Sequence, residues 1–101
     1  MKVYISGPTT GIVGFEKNFD EAVDVILGDQ RFGIIINPVA VGREVAKHIE
    51  APTWSDYMRA DIKALCDCDA IVMLPGWLRS RGAQVERRLA IDLGMKVFLF
   101  H

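Results

Sequence analysis

The chain has 101 residues, half of them hydrophobic and a quarter charged, with a net charge of −1. That length suits one domain around one core; the composition excludes a disordered chain, and the near-zero charge excludes a basic field built to hold a nucleic-acid polymer. No apolar run reaches membrane-span length and no signal peptide precedes Gly7-Pro8, so no membrane partner is expected. A small charged metabolite is the expected partner, met in a reducing cytoplasm.

Residues 2–6 read as a short buried strand closed by Gly7-Pro8. A glycine-bearing loop over residues 9–14 leads to a helix over residues 15–27. There Phe15, Phe19, Ala22, Val23, Ile26 and Leu27 share one face, while Asp20, Glu21 and Asp24 fall largely on the other. Residues 33–36 form a second buried strand, ended by Asn37-Pro38. The pattern is weakest over residues 39–52, where residues 44–49 suggest a short helix inside a mobile connection or lid. Thr53 is the N-cap of a helix carrying Trp54, Met58, Ile62 and Leu65 at core spacing. A third strand over residues 70–74 stops at Pro75-Gly76. Ser80 is a further N-cap candidate, and the helix over residues 81–93 is expected to bury Val85, Leu89 and Leu93. Gly94 ends it, before a last strand over residues 96–100. Cys66 and Cys68 read as two reduced thiols near the core; with no histidine at ligand spacing, no metal is expected.

Apolar strands without polar alternation, interleaved with helices, predict a parallel sheet covered on both faces. Right-handed crossovers then give a single-domain, doubly wound α/β fold, Rossmann- or flavodoxin-like, over residues 1–101. About four strands are expected, in order 2-1-3-4. Ligands in such sheets bind beyond the carboxyl ends of the strands, near the switch point.

The segment from Pro75 to Glu86 runs strand, loop, helix start. Free N–H groups at a helix start attract an anion; Ser80, Arg79 and Arg81 add a hydroxyl and two cations. Glu86 lies roughly 9 Å further along the helix axis, so an anion held at the start could hang its other end near that carboxylate. This is the geometry of a nucleoside 5′-phosphate. Ser80 could equally be an ordinary cap, and Glu86 a solvated charge. Asp61, next to the core position Ile62, could be a general acid with a raised pKa or a surface charge paired with Arg59 or Lys63. Tyr4, inside an apolar strand, could pack or could orient a carboxylate at the ligand edge. Gly7 and Pro8 open a tight loop that lets a ligand come close. Trp54 and Trp77 could stack on a base, although the spacing of Trp54 favours the core.

The order of these phrases carries a resemblance. Tyr4-Ile5-Ser6-Gly7-Pro8, Tyr57-Met58-Arg59-x-Asp61, Asp67-Cys68-Asp69-Ala70-Ile71-Val72 and Pro75-Gly76-Trp77-x-x-Ser80-x-Gly82-Ala83-x-x-Glu86 recur in that sequence. Over nearly its whole length the chain resembles the nucleoside 2-deoxyribosyltransferase-like superfamily, and more closely a group of small phage and bacterial proteins filed as a domain of unknown function. The resemblance implies cleavage of an N-glycosidic bond through a covalent glutamyl-sugar, with Glu86 as nucleophile, Asp61 assisting departure of the base and Tyr4 positioning Glu86. It implies no cofactor. The position of Ser80 is typically aspartate in transferases of free nucleosides and serine in the related nucleotide N-glycosidases. Ser80 with Arg79, Arg81 and the Gly82 backbone therefore implies a 5′-phosphate contact. The superfamily completes its pockets with a neighbouring subunit, which implies a homo-oligomer; a phage-encoded member would work in the host cytoplasm. A non-catalytic nucleotide-binding or sensing module is the alternative, and cleavage of NAD a further variant of the same chemistry.

Overall fold

β1 (Lys2–Ser6) alternates its side chains across the sheet: Val3 and Ile5 leave one face, Tyr4 and Ser6 the other. All four are fully buried. The computed structural model describes residues 1–101. It continues with α1 (Phe15–Ile26), β2 (Ile34–Ile36), α2 (Pro38–His48), α3 (Trp54–Cys66), β3 (Ala70–Met73), a 3-10 turn (Trp77–Arg79), α4 (Arg81–Asp92) and β4 (Lys96–Leu99). The four strands form one open sheet in order 2-1-3-4, every pair parallel. Val3 lies opposite both Ile35 and Ala70, and Ile71 opposite Val97. This is the doubly wound α/β sheet that the apolar runs predict.

Each face has its own core. Phe19, Ala22 and Ile26 of α1 pack on Val3, Ile5, Ala70 and Val72. On the opposite face, Leu65 of α3 and Ala83 and Ala90 of α4 pack on Tyr4, Ile71 and Met73. The chain reverses from β1 to β3 through the β2 excursion, so a switch point opens beyond Ser6 and Met73. No helix is long and apolar enough to cross a membrane.

Four expectations change. Residues 39–52 are not chiefly a mobile connection: most of them belong to the three-turn helix α2. Asn37 caps it, its side chain accepting from the Val39 N–H at 3.0 Å, and Pro38 occupies the first turn, where its missing N–H costs nothing. The second strand is an edge rather than a buried strand, with Ile34 57% exposed. The last helix is rotated from its expected face: Ala83, Glu86 and Ala90 are buried, Leu89 is half-buried, and Val85 and Leu93 are 39% and 56% exposed. The cause is closeness of approach. Alanines at both ends of the buried stripe let α4 settle on the sheet, and the residue between them is the glutamate. Of the two thiols only Cys68 is buried; Cys66 is exposed at the end of α3.

Candidate functional site

Tyr4 and Ser6 stand two residues apart on β1 and so face α4 together. α4 brings Glu86 over them. The Tyr4 hydroxyl donates to Glu86 Oε2 at 2.6 Å, and the Ser6 hydroxyl donates to Oε1 at 2.7 Å. Glu86 is 5% exposed. Burial pushes its pKa up, while the bonds from Ser6 and Tyr4 hold it down; the net shift is upward. Each bond to the charged form stabilises it by about 1.5–3 kcal/mol, which offsets much of the cost of sinking a carboxylate. Burial and the adjacent Glu86 charge push the Tyr4 phenol well above its ordinary range, so it remains a neutral donor.

Asp61 reaches the same place from α3. Its Oδ1 is buried without a hydrogen-bond partner, and it forms no ion pair with Arg59 or Lys63. Burial first, and the Glu86 charge second, raise its pKa to about 7. The two carboxyl groups thus differ in kind. Two hydroxyls stabilise the anion of Glu86 and none stabilises that of Asp61, so the proton of the pair resides on Asp61.

Both carboxyls line one cavity of about 1150 Å³ at the switch point, just above the usual size range of small-molecule sites. Gly7 and Pro8 form part of its floor. A side chain at Gly7 would bring its Cβ within 2.8 Å of Leu74 Cβ, so the end of β1 lies hard against the end of β3. Gly82 opens the α3–α4 seam: a Cβ there would meet Met58 Sδ at 3.2 Å. Ser80 caps α4, accepting from the Ala83 N–H at 3.2 Å, and also lines the cavity; cap and site residue are the same residue. Arg79 and Arg81 line it too, and the Arg81 guanidinium lies over the Trp54 ring, 4.0 Å from its centroid.

The structure therefore brings together Tyr4, Asp61, Glu86, Ser80, Gly82, Arg79, Arg81, Gly7 and Pro8. It does not bring Trp77. That ring is half-buried against the core beneath α4, with Arg87 stacked on it at 4.6 Å, and it does not line the cavity. The short turn after Gly76 carries the indole toward the sheet instead of the opening. Trp54 and Tyr57 are the aromatics of α3 that line the cavity. Sequence reasoning also missed Ser6 and Arg43. Ser6 was legible from its two-residue offset to Tyr4; Arg43, which lines the cavity from α2, could not be found without recognising that helix. No three His, Cys, Asp or Glu side chains converge as a metal site.

The fold and site define the class: a parallel, doubly wound α/β domain with two buried carboxyl groups in unlike surroundings at its switch point and cations at the neighbouring helix start. The chain belongs to the family described as Domain of unknown function (DUF4406), whose model matches residues 1–99. No curated protein and no solved structure matches it significantly.

Proposed function

We propose that this protein cleaves the N-glycosidic bond of a nucleoside 5′-monophosphate or deoxynucleoside, by hydrolysis or by transfer to a second base. The observation that carries the reading is the unequal carboxyl pair: Glu86 bonded by two hydroxyl donors, Asp61 with an unpartnered buried oxygen and a pKa raised to about 7, both lining one cavity. A retaining displacement at an anomeric carbon needs these two states side by side. A Glu86 oxygen attacks C1′ and forms an ester. The C1′–N bond breaks, and the base leaves with the bonding electrons and the Asp61 proton. Water, or the ring nitrogen of a second base, then attacks C1′, returns its proton to Asp61 and releases Glu86. No metal or redox group is called for in these steps.

Ser80, Arg79, Arg81 and the backbone at Gly82 suit a 5′-phosphate, because two cations and a helix start converge on the cavity. Tyr57 offers a stacking surface for a base, and the Trp54 ring carries Arg81 on one face. The superfamily resemblance points the same way. The reading includes a cytoplasmic location, consistent with the two free thiols, and a homo-oligomer. In support of the latter, Trp54, Ile62 and Val85 share a shallow apolar depression along the α3–α4 seam.

The test is chromatographic detection of free base from nucleosides, 2′-deoxynucleosides, their 5′-monophosphates and NAD, with and without an acceptor base. Wild type should release base mainly from monophosphates, and Glu86→Gln should reduce release to background with its circular dichroism unchanged. A folded Glu86→Gln protein with full activity overturns the mechanism. Tight nucleotide binding without turnover turns the reading to a sensing module.

A further inference from the structure

Two hydroxyls hold Glu86, and their surroundings differ. Both are completely buried, but Tyr4 lines the cavity together with Glu86 and Ser6 does not. Tyr4 donates to Oε2, Ser6 to Oε1. Oε2 is thus bonded to a hydroxyl of a cavity-lining residue, and Oε1 to a hydroxyl of a residue outside the lining. The main chain at Ser6 has little freedom. Its carbonyl accepts from the Leu74 N–H at 2.8 Å, and the next residue, Gly7, leaves no room for a Cβ against Leu74.

We infer that Ser6 is a positioning residue that fixes Oε1 of Glu86 as the non-reacting oxygen, leaving Oε2 to face the ligand. The inference deepens the proposed function and rests on it for its catalytic consequence. During attack on C1′, Oε2 forms the new bond and Tyr4 must release it or follow it. Oε1 becomes the carbonyl oxygen of the ester and keeps the Ser6 hydrogen bond throughout. Ser6 therefore acts on the carboxylate through both halves of the reaction without touching the substrate. It also helps keep Glu86 ionised beside its ionisable neighbours, which are Tyr4 from β1 and Asp61 from α3; β3, packed beneath α4, contributes only Ala70, Ile71, Val72 and Met73.

The experiment is a carboxyl-carbon NMR titration of Glu86 in protein labelled with ¹³C-glutamate, in wild type, Ser6→Ala and Ser6→Cys, paired with the pH profile of base release. Loss of a hydrogen bond to a charged group should raise the Glu86 titration midpoint by about one to two pH units in both variants. The Cys variant fills the space of the serine with a weak donor, so a shift in Ala alone would mark the residue as packing and overturn the inference, as would no shift in either. The acid limb of kcat should move upward with the midpoint while KM changes less than threefold. If wild type cleaves no substrate yet both variants shift the midpoint, the catalytic reading fails and the positioning of Glu86 by Ser6 stands. If wild type cleaves and neither limb nor midpoint moves, the positioning fails and the catalytic reading stands.

Discussion

Asp61 carries a cost that its chemistry would exploit. Its carboxyl holds a proton up to about pH 7 in the folded chain but only to about pH 4 when unfolded. The folded state therefore binds more protons across that window. The sign follows from linkage: the contribution of Asp61 to stability is greatest below about pH 4, declines as pH rises toward 7, and stays reduced above it. Asp61→Asn, which cannot ionise, should leave stability nearly unchanged at pH 4 and raise it at pH 8. The gain is about 2 kcal/mol after allowing for partial exposure to solvent, read as several degrees in thermal melts. The same variant should lose roughly 10²- to 10⁴-fold in base release, the usual contribution of a general acid, and wild-type activity should fall above pH 7 as Asp61 ionises. A variant less stable than wild type at pH 8 would show that Asp61 is not a strained, buried acid.

Among the elements, α4 decides whether Glu86 reaches Tyr4 and Ser6. Its buried stripe is alanine, glutamate, alanine, so the helix lies close to the sheet. Ala90→Leu should overpack that contact, cost about 1–3 kcal/mol in urea unfolding and reduce base release by lifting Glu86. Leu93→Gln, on the exposed side, should change stability by less than about 0.5 kcal/mol; the reverse ranking would restore the face that the aliphatic spacing suggests. That spacing misled because Val85, Leu89 and Leu93 outweigh alanines in any hydrophobicity pattern, although alanine is what a close helix–sheet contact selects. α2 was obscured for a different reason. Asn37-Pro38 serves as both strand stop and helix start, and Gly42 inside the helix reads as a breaker; its missing side chain instead lets the Tyr57 ring approach, 3.6 Å from where a Cβ would sit. The sheet order and the strands were legible because apolar runs bounded by Pro and Gly leave few topologies open. Tyr4, Asp61 and Glu86 could be named, but their meeting depends on helix rotation, which spacing alone did not give.

At the scale of the molecule, a ligand that fills a cavity formed by β1 and all four helices should stabilise the whole fold. A deoxynucleoside 5′-monophosphate at 100 times its Kd adds about 2.7 kcal/mol, and for a domain of this size that should raise Tm by roughly 10 °C or more. Glu86→Gln should retain the shift, since the proposed phosphate contacts are elsewhere; inorganic phosphate alone should give a smaller one. A monophosphate that leaves Tm unchanged at millimolar concentration would remove the basis for Ser80, Arg79 and Arg81 as phosphate contacts. The two hydrogen bonds that hold Glu86 join residues 82 and 80 positions apart. Each closes a loop of most of the chain, which is entropically expensive until the intervening sheet has assembled. The carboxylate is therefore expected to find its partners late in folding: recovery of ligand binding after dilution from denaturant should trail recovery of helical signal, and the lag would time the docking of α4 onto β1.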